Sequence, residues 1–243
     1  MGKEAYLQLL IEHKNNILPR NHPISITIER VGKRIFHAAG KFAKENNLDY
    51  FDTNNVTFTV VDSDQANAFV LPGNHVFFLT GMCRYARTED EIGGILGHEM
   101  AHNLARHLGE KMSSSAVVSI LAALSLFVDP SGSFFIIFMP AATILSSLPH
   151  SRELELEADG IGMRLAAEAC YDPEALSHVF QRMDDASKEG SDNNLTNKPP
   201  EFLSTHPSDE SRIKDMQKWL PEDKRIFNIA KKSKYPSIPS SSL

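Results

Sequence analysis

The stretch "GGILGHEMAHNLARH" (93–107) sets two histidines four residues apart, with a glutamate directly after the first. Four residues is close to one helical turn, so His98 and His102 leave from the same face and can share one ion. Neutral imidazole nitrogens suit zinc, and a catalytic zinc typically has three protein ligands with one position left for water. Glu99 stands about 100° around the helix from His98. From there it reaches such a water without displacing a ligand and can take its proton. Chance is a poor account of the pattern: in a chain with ten histidines, random order would give roughly 0.03 such pentapeptides. The bland alternative is an ordinary helix with two partly buried histidines.

A third ligand is needed. His107 lies five residues past His102, about 140° off the ligand face, and is expected at the surface. The metzincin spacing would want Gly at 105 and His at 108, where this chain has Ala105 and Leu108. The better source is "SRELELEADGIG" (151–162). Its apolar stripe, Leu154, Ala158, Ile161 and Leu165, is flanked by Glu155, Asp159 and Gly162 on one side and by Glu153 and Glu157 on the other. The stripe alone does not choose between them. Glu155 with Asp159 one turn later suits a ligating glutamate whose neighbour orients an imidazole through its other N–H. Glu153 and Glu157 share a turn with no such partner and are expected to face solvent.

The elements that must position these groups are legible in outline. Residues 3–17 and 23–47 read as helices, the second with Ile24, Ile28, Val31, Ile35, Ala38 and Phe42 at helical spacing. "NVTFTVVDS" (55–63) alternates like a strand, and 67–81 reads as two short strands around a Pro-Gly-Asn turn. Thr88 and Glu91 form a capping box that starts the histidine-bearing helix. Gly93, Gly94 and Gly97 each cost that helix on the order of 1 kcal/mol against alanine, so they mark tight packing or close approach of a substrate. Two apolar runs, 116–128 and 134–148, are each shorter than the ~20 residues that span a bilayer. They read as a buried helical hairpin or as a membrane-dipping pair, with Pro140 kinking the second. Residues 151–169 form another helix, Asp172-Pro173 starts a further one, 188–202 is a polar loop, and a last helix begins near Ser208. The expected organisation is an N-terminal helical region (1–54), a zinc-binding domain (55–220) enclosing the apolar hairpin 116–148, and a polar C-terminal tail (221–243).

Composition narrows the function. A length of 243 residues with 42% hydrophobic content supports a substantial core. A net charge of -6 argues against nucleic acid as a partner, because phosphate binding needs a basic face. Cys83 and Cys170 make no CxxC and no disulfide framework. "MGKEAYLQLL" shows neither a signal peptide nor the arginine-rich character of a transit peptide.

With both helices placed, the sequence resembles the gluzincin metallopeptidases that include CAAX prenyl proteases and HtpX-like proteases. The matching elements are "NAFVLPG", "GHEMAH", "SRELELEAD" and "THPSDESRI", in the family's order across residues 67–213. "SRELELEADGIGMRLAAEAC" looks most like the mitochondrial inner-membrane branch, stress-activated proteases whose activity overlaps that of the m-AAA protease. The resemblance implies an α+β, predominantly helical, zincin-like fold with a small sheet beside two zinc-bearing helices. It implies one Zn2+ per chain held by His98, His102 and Glu155, with Glu99 as base and Asp159 holding a ligating histidine. His206 would donate to the developing oxyanion, and Arg212 would brace the His206-Pro207 loop. The strand at Asn67, Ala68 and Phe69 would bind a polypeptide substrate in extended form by main-chain hydrogen bonds. The implied function is zinc-dependent endoproteolysis of membrane or membrane-associated proteins in mitochondrial quality control, at the inner membrane; of the two readings of 116–148, the membrane-dipping pair would supply a membrane contact. The alternative is a zinc-binding scaffold or chaperone of the same fold without proteolytic activity. Two departures stand out: Asn74 occupies a position where the family often has a second glycine, and the branch's import sequence and N-terminal membrane segment are not visible in this chain.

Overall fold

A computed structural model of the chain describes residues 2–107, 152–192, 200–207 and 210–234. The apolar runs 116–128 and 134–148, with the choice between buried hairpin and membrane contact, lie outside the described residues. Among those described, the order is helix α1 (Gly2–Glu12), α2 (Pro23–Glu45), strands β1 (Thr57–Val61), β2 (Ala68–Leu71) and β3 (His75–Leu79), then α3 (Glu89–Leu104), α4 (Arg152–Glu168), α5 (Ala175–Asp192), α6 (Glu201–Thr205) and α7 (Glu210–Lys234). The architecture is α+β and predominantly helical, with a small sheet beside α3.

Helix α2 starts where Pro23 supplies a preset φ and the His22 ring accepts from the Ile24 N–H. Its buried face, Ile28, Val31, Ile35 and Ala39, packs against β1, α3 and α4. Both arms of the α3 capping box are made: Thr88 Oγ1 accepts from Glu91 N, and the Glu91 carboxylate accepts from Thr88 N. Glu91 also accepts from Arg87 N and Arg182 Nη2, so the start of α3 is tied to α5. At its other end Tyr50 Oη donates to Leu104 O and Asn103 donates to Asn74 Oδ1. Thus α3 runs almost wholly buried through the middle of the molecule, fixed at both ends.

The sheet order is β1-β3-β2, with β1 parallel and β2 antiparallel to β3. Successive side chains point to opposite faces. Val60, Val76 and Phe78 therefore join the main core, while Val61, Phe77 and Leu79 meet Tyr6, Leu9 and Leu10 of α1. The outer side of β1 is partly covered by a bridge between Ile17 and Val61, which leaves β2 as the open edge among the described residues. The β2–β3 turn places Gly73 at φ 92° and Asn74 at φ 60°. The left-handed region is one glycine enters freely and asparagine tolerates best among the rest, so Asn74 fits where a second glycine was anticipated. Its side chain adds hydrogen bonds to Asp52 O and Asn55 O.

Helix α7 differs from the expected tail, because residues 221–234 continue the helix through Pro221. Proline removes one backbone bond and crowds the preceding turn. Packing overrides it here: Met216, Asp223 and Ile226 are buried, and Trp219 and Leu220 lie on the main core. No described helix is long and apolar enough to cross a membrane.

Helices α3 and α4 touch backbone to backbone. A Cβ on Gly97 would stand 2.7 Å from Gly162 O, and one on Gly162 would stand 2.8 Å from the His98 backbone. Gly93 and Gly94 are filled by Tyr171 and Leu176. Tight packing, not substrate approach, accounts for these glycines.

Two outcomes follow from this packing. Gly162→Ala gains about 1 kcal/mol of helix propensity but must push α3 away, for a net loss of about 1–2 kcal/mol in urea unfolding; equal or greater stability would show the contact is not tight. Asp223 is buried with Oδ2 lacking a hydrogen bond, and burial raises its pKa from 3.8 to about 6. A folded value above the unfolded one means its contribution to stability is full below about pH 4 and is lost as pH rises through 6. Asp223→Asn should therefore be more stable than wild type in urea unfolding at pH 7.5, by about 1–2 kcal/mol after allowance for solvent screening, and show no advantage at pH 4. A pH-independent difference would refute that account.

Candidate metal centre

The α3–α4 contact brings the acidic helix against the two histidines. His98 and Asp159 are fully buried, and Glu99, His102, Glu155 and His206 are nearly so. One ligand atom from each of His98, His102, Glu155 and His206 falls within 4.8 Å of all the others. His98 Nε2 and His102 Nε2 are 3.1 Å apart. Glu155 Oε2 is 3.6 Å from His98 Nε2, and Oε1 is 3.4 Å from His102 Nε2. Donors at about 2.0–2.2 Å from a tetrahedral zinc stand roughly 3.3–3.5 Å from one another. The observed spacings bracket that value, so two imidazoles and a carboxylate fit one zinc ion.

Charge supports the same fit. Three buried carboxyl groups, those of Glu99, Glu155 and Asp159, gather around one buried guanidinium, that of Arg212, and a dication among them would favour their ionised forms. Glu99 Oε1 is buried without a hydrogen bond of its own.

The surrounding groups hold the donors. His98 Nδ1 lies 3.0 Å from Asp159 Oδ1. Arg212 grips Asp159 with two parallel bonds, Nε to Oδ2 at 2.9 Å and Nη2 to Oδ1 at 2.8 Å. It also donates to Pro207 O and stands 2.9 Å from Glu155 Oε2. One guanidinium thus ties α4 to the His206-Pro207 loop. His206 directs Nδ1 to Glu155 Oε1 at 3.0 Å and Nε2 to Glu99 Oε1 at 3.4 Å. That position makes it a fourth candidate donor as well as a neighbour of Glu99, a donor role that the His206-Pro207 motif does not by itself signal.

The two glutamates sit in opposite electrostatic regimes. Burial raises the Glu99 pKa, with Glu155 adding to it against the pull of His206 and His98. Burial acts on Glu155 too, but the His206 hydrogen bond and the charges of His98, His206 and Arg212 prevail and hold it at about 2. Burial would lower the His206 pKa, yet Glu99 and Glu155 raise it on balance. Paired carboxylates pushed apart in this way suit one proton carrier and one permanent anion.

His107 departs from its expected surface position. It is fully buried, with Nδ1 2.8 Å from His102 Nδ1 and Nε2 3.2 Å from Glu157 Oε2. The helical-wheel argument fails because α3 ends at Leu104 and Arg106 adopts φ 58°, turning the chain back beneath His102. Nothing in the local sequence short of the positive-φ turn would have signalled this.

Beside the donors opens a cleft of about 650 Å³, lined by β2, Tyr50, Asn103, Glu99, His102 and His206. Leu79 N donates to Asn67 O, so Asn67, Phe69 and Leu71 turn their backbone groups to β3 while Ala68 and Val70 turn theirs outward. The outward edge is closed upstream, where Phe202 N donates to Ala66 O and Asn67 Oδ1 accepts from Ala68 N. The Ala68 side chain is buried and Phe69 stacks on Phe77, and both border the cleft.

The comparisons agree with this geometry. The chain is 36% identical over 225 residues to the mitochondrial metalloendopeptidase OMA1 of Schizosaccharomyces pombe, covering 91% of this chain and 60% of that protein. It is 34% identical over 229 residues to the Saccharomyces cerevisiae protein of the same name, covering 93% and 65%. The Homo sapiens metalloendopeptidase OMA1 matches at 34% over 177 residues, 69% of this chain and 33% of that one. The chain thus spans under two thirds of the length of these relatives. The profile of one peptidase family covers residues 28–220, and with the converging histidine and glutamate side chains it establishes that the chain belongs to peptidase family M48.

Proposed function

We propose that this chain is a zinc-dependent metalloendopeptidase that hydrolyses peptide bonds in membrane or membrane-associated proteins during mitochondrial protein quality control. The observation that carries the reading is the meeting of His98, His102 and Glu155 with a buried Glu99 at the wall of a cleft bordered by an open strand edge. The mitochondrial setting is drawn from the names of the relatives, and the inner membrane from the resemblance of "SRELELEADGIGMRLAAEAC" to that branch. A membrane contact through 116–148 would follow from the membrane-dipping reading of those apolar runs.

His98, His102 and Glu155 would hold the zinc, which supplies Lewis acidity toward water and toward a peptide carbonyl. Glu99 takes the proton of the attacking water and delivers it to the departing amine nitrogen. Its burial keeps bulk water from competing for that proton. His206 offers a hydrogen bond to the carbonyl oxygen as charge accumulates there. Asp159 orients the His98 ring, and Arg212 holds Asp159 and the His206-Pro207 loop in register. Asn67, Ala68 and Phe69 carry the edge on which an extended substrate is laid, through the outward groups of Ala68 and Val70.

The test is zinc content together with cleavage of an unstructured protein such as casein. Wild type should hold one zinc and cleave; Glu99→Gln should keep the zinc and lose activity about 10²–10⁴-fold. Removal of zinc by a chelator should abolish cleavage, and added zinc should restore it. Cleavage by Glu99→Gln at the wild-type rate would exclude the proposed base, and zinc without cleavage in wild type would favour a scaffold.

A further inference from the structure

We propose that His107 and Glu157 are positioning residues that fix His102 in its metal-binding tautomer, a role that rests on the zinc reading above. The two metal-facing histidines are supported differently. His98 meets a carboxylate directly, with Asp159 Oδ1 3.0 Å from its Nδ1. His102 meets a second imidazole, with His107 Nδ1 2.8 Å from its Nδ1 and the rings nearly perpendicular at 74°. His107 in turn reaches Glu157 Oε2 at 3.2 Å through Nε2.

Two ring nitrogens facing each other at that distance share one proton. If His102 gives its Nε2 lone pair to a metal, neutral imidazole must carry its proton on Nδ1. His107 Nδ1 is then the acceptor, and its own proton sits on Nε2, aimed at the Glu157 carboxylate. Each nitrogen then has a defined role within the row, and the carboxylate at the far end favours that order. The reverse order would place a proton on His102 Nε2, where it would block the metal. Glu157 therefore acts on the metal only through His107. Helix α4 thus supplies the ligand Glu155, the His98 partner Asp159 and the far end of the His102 row.

The two supports also differ in exposure. Asp159 is fully buried under Arg212, whereas the Glu157 side chain is 53% exposed and His107 is fully buried. Salt should screen the Glu157 contribution and leave that of Asp159 largely intact.

Zinc dissociation constants, measured by chelator competition with Zn2+ on the full chain, test the row. His107→Phe should raise the constant about 10–100-fold, the range for loss of a partner that orients a ligand. His107→Gln, whose amide can accept from His102 and donate to Glu157, should stay within several-fold of wild type. Glu157→Gln should raise it about 3–10-fold at low salt and less at 1 M. In the His107→Phe background Glu157→Gln should add nothing, which a merely structural role for either residue does not predict. An equal loss in both backgrounds, or wild-type affinity in both single variants, overturns the proposal. If His107→Phe does not fold, the half-exposed Glu157→Gln decides alone, and an unchanged constant at low salt overturns it. Wild type that binds no zinc defeats the metal reading itself; wild type that binds zinc with unaffected variants defeats only the row.

Discussion

Where Gly97 faces Gly162, no side chain separates α3 from α4, and that closeness sets the geometry of the site. Helices packed through ordinary side chains keep their axes 8–10 Å apart. A glutamate reaching across such a gap would meet the histidines only at full stretch. With the backbones in contact, Glu155 and Asp159 arrive on opposite sides of His98, one at each ring nitrogen. The seam continues through Gly93 against Tyr171 and Gly94 against Leu176, so the helix tolerates three glycines because each is filled by a neighbour.

Such an arrangement is costly to fold. Charged groups removed from water destabilise unless they are paired and hydrogen-bonded. Arg212, almost fully buried, offsets part of the cost by serving Asp159, Glu155 and Pro207 O together. A dication among the donors would offset the rest, coupling folding to metal binding. The capping box at Thr88, the Tyr50 bond to Leu104 O and the Asn103–Asn74 contact hold α3 in place beside these buried charged groups.

Much of this was legible in the sequence. The four-residue histidine spacing, the capping box, the three strands and the Pro-Gly-Asn turn all depend on local periodicity or turn chemistry, which residue types report directly. The choice of Glu155 over Glu157 needed the second helix to be read beside the first, because its apolar stripe alone was neutral between flanks. What escaped was tertiary. The position of His107 turns on one backbone angle at Arg106, and no residue type marks an arginine for positive φ. The resemblance supplies His206 at the site and Arg212 as its brace, but not the approach of His206 Nδ1 to the donor atoms themselves. The extension of α7 past Pro221 reflects burial of Ile226 against the core, which overrides a residue that ordinarily ends a helix.

The edge of β2 carries a consequence for how a protease of this shape would choose its targets. Ala66 O is taken by Phe202 N and Ala68 N by the Asn67 side chain, so the outward groups left for pairing belong to Ala68 O and to Val70. A docking rail that short reads main-chain groups, which offer little by which to tell one residue from another. It does reject any chain whose own amides are still engaged in helix or sheet. On the proposed reading, discrimination falls on whether a segment has already come undone, and damage rather than spelling marks it for cutting.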